Sequence, residues 1–389
     1  MNVNAAATMG IGCRWGIKCL MLLVVAGTTL ACSSGPEKSK PAELSANVAL
    51  INVRLAWSAR LGVVNFPLDI AVNSRSNLLA ITAAGSDGVV ASFDASNGRE
   101  LWRTNVGAEI AAGVGSDGAL ASVITNANEI VTMESGRVLW RQKLGVPGYT
   151  APLVAGGRVF VLSSDRSVTA FDGQTGRKLW AQKRSTEALV LRQSGVLLAV
   201  DDTLVVGLSG RLVGMNSLDG SVRWEAPLAI ARGTNDVERL VDLVGRVSHE
   251  GSVVCARSFR VSVGCVNAAQ GTLLWTKPAS GSEGVHGDGR SVFGVETDGK
   301  VIAWNRTNGE RLWSTERLQY RSLTAPVVVG RSVAIGDSTG LVHLLSREDG
   351  SPLTRLSTDG SAVATAPVLA GNTLVVVTRN GGIFGFLPE

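Results

Sequence analysis

The chain has 389 residues, of which 45% are hydrophobic and 18% are charged. This composition supports a buried core and excludes a disordered chain. The formal net charge of +5 comes from scattered basic residues without a Lys/Arg run interleaved with aromatics, which argues against a nucleic-acid-binding surface. The 46 glycines and 11 prolines indicate many turns between short strands.

Residues 1–31 have the features of a signal peptide. Arg14 and Lys18 precede the apolar run 19–27, and small residues then lead to Cys32. A positive flank, a short apolar core and small residues before a cleavage point are typical of exported proteins. The run is short for a bilayer, so a transmembrane anchor is the weaker interpretation.

The stretch Leu30–Ser34 resembles a bacterial lipobox, in which the signal is cut before a cysteine that is then lipidated. We therefore expect Cys32 to carry the lipid, although Thr29 stands where the pattern prefers leucine. Several acyl chains would hold the protein stably on a membrane. The alternative is an ordinary signal peptide cut near Ala31, which would leave a free thiol. Ser33 resembles the residue that follows the cysteine in lipoproteins sent to the outer membrane.

The mature chain is predicted to start with a tether and continue as one domain. Residues 32–48 are rich in Ser, Pro, Lys and Glu, which predicts a flexible tether. Residues 49–389 repeat with a period of about 40 residues, and each unit ends in Gly-x-x-x-Trp. The six repeat tryptophans are Trp102, Trp140, Trp180, Trp224, Trp275 and Trp313. Trp57 precedes the first copy, and Thr354 replaces the tryptophan in the last.

Each unit contains short apolar, β-branched runs such as 158–162 and 373–377. Asx-Gly pairs, for example Asn380-Gly381, separate these runs and predict hairpins. Four short strands per unit of this length is the period of a β-propeller. The sequence therefore predicts an all-β, eight-bladed β-propeller of four-stranded antiparallel blades. The strand around Trp57 would complete the last blade and close the ring by joining the two ends of the chain.

We expect the repeat tryptophans to be structural. The glycine would turn the chain between the last two strands of a blade, and the indole four residues later would lie across the neighbouring blade. Such a ring buries about 150–250 Å². The repeat would thus hold blade to blade and carry no chemistry.

The sequence predicts neither a catalytic site nor a cofactor or metal site. The glycines at 113, 115 and 118 match the dinucleotide fingerprint in letters, but a strand follows them where that motif needs a helix. The zinc motif His-Glu-x-x-His is not present. The three histidines have no paired spacing. We therefore expect a protein that is not an enzyme.

Cys255 and Cys265 flank a predicted hairpin turn near Phe259 and Arg260. In an oxidising periplasm they could pair. Because side chains alternate along a strand, a two-residue turn would place the thiols on opposite faces and a three-residue turn would place them opposite each other. The sequence leaves this disulfide open.

The pattern from Ala170 to Trp180 resembles the tryptophan-docking repeat of the quinoprotein-type propellers. Within that superfamily the chain resembles the BamB family, lipoproteins of the outer-membrane β-barrel assembly (BAM) machinery. The resemblance implies a non-catalytic scaffold at the outer membrane, facing the periplasm. Its implied partners are the POTRA domains of BamA and other BAM subunits, and unfolded outer-membrane proteins are a further possible partner. Its implied role is to assist the folding and insertion of outer-membrane β-barrel proteins.

Two stretches carry the local resemblance. Leu189-Val190-Leu191-Arg192 resembles a Leu-x-Leu-Arg loop that in the family faces BamA, and 239–242 resembles the neighbouring Arg-Leu-x-Asp loop. The family often has a further aspartate where this chain has Val244. The resemblance therefore implies partner binding by Leu189, Leu191, Arg192, Arg239 and Asp242. The alternatives are an ordinary buried strand for the leucines and a solvated loop for the charged residues.

A second function remains open at this stage. The superfamily includes dehydrogenases that use pyrroloquinoline quinone, but those chains are considerably longer and have an adjacent Cys-Cys pair and a carboxylate-rich calcium site. This chain has no Cys-Cys pair. The alternative is a periplasmic quinoprotein-like or sugar-binding propeller whose central channel holds a small ligand. A channel lined with clustered Asp, Glu, Asn and Arg would favour it.

Overall fold

The computed structural model describes residues 39–75, 77–183, 190–230 and 240–388. In this part of the chain all regular elements are β-strands, 32 in number. The search for a helix long and apolar enough to cross a membrane finds none among these residues. The prediction of an all-β fold is confirmed.

The strands form eight four-stranded antiparallel sheets, called blades 1 to 8. Blade 1 contains β2 (Ala71–Arg75), β3 (Leu78–Ala84), β4 (Val89–Asp94) and β5 (Glu100–Asn105). Blade 2 contains β6 (Ile110–Ser116), β7 (Leu120–Thr125), β8 (Glu129–Glu134) and β9 (Arg137–Lys143). Blade 3 contains β10 (Leu153–Ala155), β11 (Arg158–Leu162), β12 (Val168–Asp172) and β13 (Lys178–Gln182). Blade 4 contains β14 (Leu197–Val200), β15 (Thr203–Leu208), β16 (Arg211–Asn216) and β17 (Val222–Pro227).

The second half of the ring repeats the pattern. Blade 5 contains β18 (Leu243–Glu250), β19 (Val253–Ser258), β20 (Ser262–Asn267) and β21 (Thr272–Pro278). Blade 6 contains β22 (His286–Gly287), β23 (Ser291–Val295), β24 (Val301–Asn305) and β25 (Arg311–Thr315). Blade 7 contains β26 (Val327–Val329), β27 (Ser332–Gly336), β28 (Leu341–Ser346) and β29 (Pro352–Ser357). Blade 8 contains β30 (Val368–Ala370), β31 (Thr373–Val377), β32 (Gly382–Pro388) and β1 (Val53–Arg60).

The blades form the predicted eight-bladed propeller. The first strand of each blade contacts the first or second strand of the blade before it, including β2 against β30. The ring closes through blade 8, where β1 pairs antiparallel with β32 and Trp57 lies opposite Gly385. The first and last strands therefore share one sheet, in which β1 covers what would otherwise be the unpaired outer edge of β32. The apolar clusters lie along and between neighbouring blades.

The repeat glycine has two physical roles. Gly98 has φ +73°, which favours glycine. An ideal Cβ there would also lie 2.5 Å from the Trp57 ring of the preceding blade. The same close approach joins Gly136 to Trp102, Gly176 to Trp140, Gly220 to Trp180, Gly271 to Trp224, Gly309 to Trp275 and Gly350 to Trp313. Each turn glycine is therefore the seat of the previous blade's indole.

The indole N–H groups tie neighbouring blades together. Trp140 Nε1 donates to the Gly173 carbonyl at 2.8 Å, and Trp275 Nε1 donates to the Arg306 carbonyl at 2.7 Å. In blade 3 a β-bulge precedes Trp180, since Ala170 pairs with Trp180 but Phe171 pairs with Lys178. The bulge turns the Trp180 ring across the next blade. Equivalent N–H bonds come from Trp57, Trp180 and Trp313.

Blade 7 lacks a tryptophan for a reason of chain order. A tryptophan of blade 7 would pack on the glycine turn before the outer strand of blade 8. That outer strand comes from the N-terminal part of the chain, so blade 8 has no glycine turn before it. The entering chain lies there instead: the Leu50 N–H donates to the Leu353 carbonyl at 2.7 Å. Further back, Arg321 Nη1 donates to the Ala42 carbonyl at 3.1 Å, and Arg321 Nε donates to Asp337 at 2.8 Å. Residues 42–50 therefore lie along blade 7.

The hairpin between β19 and β20 decides the cysteine question. Ser258 pairs with Ser262, so the turn has three residues, 259–261. This turn places Cys255 directly opposite Cys265, and the two form a disulfide. Both cysteines are fully buried.

Candidate functional site

The predicted partner-binding residues that the structure describes, Leu191, Arg192 and Asp242, lie on the linkers between blades. Leu189, Arg239 and the lipidation candidate Cys32 lie outside the described residues. Leu191 and Arg192 belong to the linker between blades 3 and 4, and Asp242 ends the linker between blades 4 and 5. Leu191 lies outside any strand and is half-buried, so the buried-strand alternative does not hold for this residue.

Asp242 joins three separate segments. Its Oδ2 atom accepts the Leu191 N–H at 3.0 Å, and its Oδ1 atom accepts a hydrogen bond from Arg166 Nη2 at 2.8 Å. Its backbone carbonyl accepts the Phe259 N–H at 2.9 Å. The Arg166 and Asp242 side chains are only 6% and 15% exposed. The carboxylate is thus satisfied within the chain, which makes Asp242 a residue that positions its neighbours.

Arg192 is exposed and held from both sides. Its guanidinium carbon lies 5.5 Å from the centroid of the Tyr149 ring, a cation–π geometry. The next residue, Gln193, donates through Nε2 to the Ser282 carbonyl at 2.8 Å. The Ser194 carbonyl accepts the Gly245 N–H at 2.7 Å. The linker is therefore fastened on both sides of Arg192, and within the described ranges no residue accepts a hydrogen bond from its guanidinium.

A second arginine lies on the neighbouring hairpin tip. The Arg260 guanidinium carbon lies 5.1 Å from the Phe259 ring, and the Arg260 N–H donates to the Gly281 carbonyl at 2.9 Å. Sequence reasoning treated these residues only as a turn. The available signal was their composition, because small polar residues dominate such turns and an aromatic-arginine pair is unusual there. We call Tyr149, Leu191, Arg192, Phe259 and Arg260 the Arg192 face.

Beside this face the channel of the ring holds a cavity of about 720 Å³. Six charged side chains line it: Asp69, Arg192, Arg246, Glu283, Glu296 and Arg379. Burial raises the pKa of Asp69, against the opposing effects of the Ser194 hydroxyl and Arg246. Burial also raises the pKa of Glu283 and lowers that of Arg246. Burial therefore disfavours the charged forms of these three groups.

Burial also lowers the pKa values of two further groups near the channel, Arg257 and His286. Arg257 is fully buried and pairs with Glu296 at 3.0 Å, and burial lowers the pKa of its guanidinium. His286 has its pKa lowered to about 3, first by burial and then by the charges of Arg246 and Arg306. Its Nδ1 atom accepts the N–H of residue 328 at 3.3 Å, which fits a neutral ring.

The residues present do not fit a quinone and calcium site. Over the described ranges, no group of three or more His, Cys, Asp or Glu side chains is placed to hold a metal ion. The two cysteines in these ranges are ten residues apart and are bonded across two strands, not adjacent in sequence. We derive no redox step from this channel.

The fold and the site together define a tryptophan-docking β-propeller that presents two arginine–aromatic pairs, Arg192 with Tyr149 and Arg260 with Phe259. Residues 86–315 match the family described as "Outer membrane protein assembly factor BamB". A relative with that name from Burkholderia pseudomallei is 37% identical over 366 residues, covering 92% of this chain and 94% of the relative. The chain belongs to the BamB family of outer membrane protein assembly factors.

Solved structures agree on the fold. BamB from Moraxella catarrhalis matches with a TM-score of 0.78 at 24% identity, covering 86% of this chain and 100% of that one. The quinohemoprotein alcohol dehydrogenase from Comamonas testosteroni matches with a TM-score of 0.67 at 12% identity, covering 90% and 79%. At such low identity these likenesses establish the propeller alone.

Proposed function

We propose that this protein is a non-catalytic scaffold of the BAM complex that binds the POTRA domains of BamA. In this role it assists the folding and insertion of outer-membrane β-barrel proteins. We further propose that Cys32 is lipidated and holds the propeller at the outer membrane, on the periplasmic side. Membership of the BamB family supports the assembly role.

One observation carries the partner-binding part of the proposal. Arg192 is exposed, yet its linker is fastened by Asp242 on one side and by Ser282 on the other. An arginine presented in this way loses little conformational freedom on binding, and its planar fork suits a carboxylate. Arginines of this kind are enriched among residues that dominate interface energies.

The test is the affinity of the purified propeller for the POTRA domains of BamA, measured by isothermal titration calorimetry. We expect Arg192→Ala to weaken binding by about 30-fold, as truncation of a hot-spot residue costs roughly 2 kcal/mol. The control is Arg177→Ala, another exposed arginine, on the β12–β13 turn at the opposite edge of the blades. A wild-type protein that fails to bind would refute the proposal.

The charged lining of the channel favours a second candidate function, the binding of a small polar ligand. Asp69, Glu283, Arg246 and Arg379 converge on a cavity whose size suits such a molecule. Thermal stabilisation by pyrroloquinoline quinone with calcium, or by a defined sugar, would support it. An unchanged melting temperature with all of these ligands would leave the scaffold as the better account.

A further inference from the structure

The β19–β20 hairpin tip has the same arrangement as the Arg192 linker. In each, an exposed arginine stacks on a half-buried aromatic ring: Arg192 on Tyr149, and Arg260 on Phe259. In each, a hydrogen bond to a backbone carbonyl fastens the segment to the linker between blades 5 and 6: the Arg260 N–H donates to Gly281, and the Gln193 side chain donates to Ser282. The cation–π contact holds the guanidinium over the ring but takes up none of its N–H donors.

The two arginine segments are joined by shared hydrogen-bond acceptors. Asp242 accepts the Leu191 N–H through its carboxylate and the Phe259 N–H through its carbonyl. The carbonyls of the adjacent residues 281 and 282 accept hydrogen bonds from the Arg260 N–H and from the Gln193 side chain, respectively. Blades 4 and 5 therefore present both stacked arginines from a single hydrogen-bonded framework.

The tip is also stiffened from behind. The Cys255–Cys265 disulfide joins β19 and β20, and three residues separate each cysteine from the turn. A solvated turn needs no such support, whereas a recognition element benefits from being held in its bound shape. The tip also carries Val261, which is 39% exposed, so apolar and cationic groups lie together.

We propose that the Phe259–Arg260 tip is a second contact element for the partner that Arg192 binds, and that Arg260 pairs with a carboxylate on that partner. The inference rests on the proposed function, because it takes the POTRA domains of BamA as the occupant of the Arg192 face. The chemistry of the face specifies the kind of surface that fits. Two cationic forks flanked by apolar and aromatic groups match an acidic patch with an apolar centre.

The experiment measures POTRA-domain affinity by surface plasmon resonance for wild type, Arg260→Glu, Arg260→Lys and Phe259→Ala. Charge reversal should weaken binding by about tenfold or more, and mainly at low salt, because like charges would then meet. Arg260→Lys should recover part of the loss through its charge but not through its planar fork. Phe259→Ala should weaken binding several-fold by releasing the stacked guanidinium.

The control is Arg177→Glu, the same charge change on the opposite edge of the ring, which should leave affinity within about twofold. Equal melting temperatures for all variants show that the fold is intact. If wild type binds and Arg260→Glu binds equally well, this inference is wrong and the proposed function stands. If wild type does not bind at all, the proposed function itself fails. Weakened binding by Arg177→Glu to the same extent would also overturn the inference, because the effect would then be general charge.

Discussion

Replacing Asp242 by alanine tests whether this residue touches the partner or positions the linker that does. The change removes the acceptor of the Leu191 N–H and leaves Arg166, which is 6% exposed, without its carboxylate. Breaking a buried ion pair by removing one partner costs about 3–5 kcal/mol. Because Arg166 keeps a further contact and Asp242 is partly exposed, we expect a loss of about 3 kcal/mol in the free energy of unfolding.

The matched variants separate the two roles. Arg166→Met removes the other half of the same pair from a side chain that hardly reaches solvent. If Asp242 positions the linker, both variants should weaken POTRA-domain binding, and the double variant should cost less than the sum of the two. Urea unfolding followed by tryptophan fluorescence gives the stability, and calorimetry gives the affinity. Normal affinity for Arg166→Met beside weak affinity for Asp242→Ala would refute the positioning role.

Three further outcomes are expected. Gly176→Ala should lower the free energy of unfolding by at least about 1 kcal/mol more than Gly156→Ala. Both glycines have positive φ, but only at Gly176 would the added Cβ meet an indole, at 2.5 Å. Equal losses in urea unfolding would contradict the docking role. Replacing Cys255 and Cys265 together by alanine should lower the free energy of unfolding by up to about 3 kcal/mol, the loop entropy of an 11-residue ring. Dithiothreitol should lower the denaturant midpoint of the wild type and leave that of the double variant unchanged. The pKa of His286 is lower in the folded protein than in the unfolded chain, so the unfolded state binds an extra proton as pH falls from about 6.5 to 5. Over that range the free energy of unfolding should drop by at most about 2 kcal/mol. The His286→Gln variant should show a correspondingly flatter pH profile.

The disulfide shows how far local sequence could go. Alternation along a strand reduced the question to the length of one turn, and both lengths were compatible with the residues around Phe259. The turn has three residues because its backbone is fixed from outside: the Phe259 N–H bonds to Asp242 and the Arg260 N–H bonds to Gly281. Those acceptors belong to linkers on either side of blade 5, so no window of sequence around the turn contains them.

The repeat by itself determined the ring. The shape of the Gly-x-x-x-Trp motif can be inferred without distant residues, because positive φ, a β-bulge and a flat apolar ring follow from local chemistry. Its repetition with a period of about 40 residues gives the number of blades. Chain order likewise determined that the ends meet in blade 8. Only the tertiary structure decided how the Arg192 face is built. Its members come from blade linkers and a hairpin tip far apart in the chain, and the contacts that join them, through Asp242 and residues 281–282, are long-range hydrogen bonds that depend on how the linkers cross the closed ring.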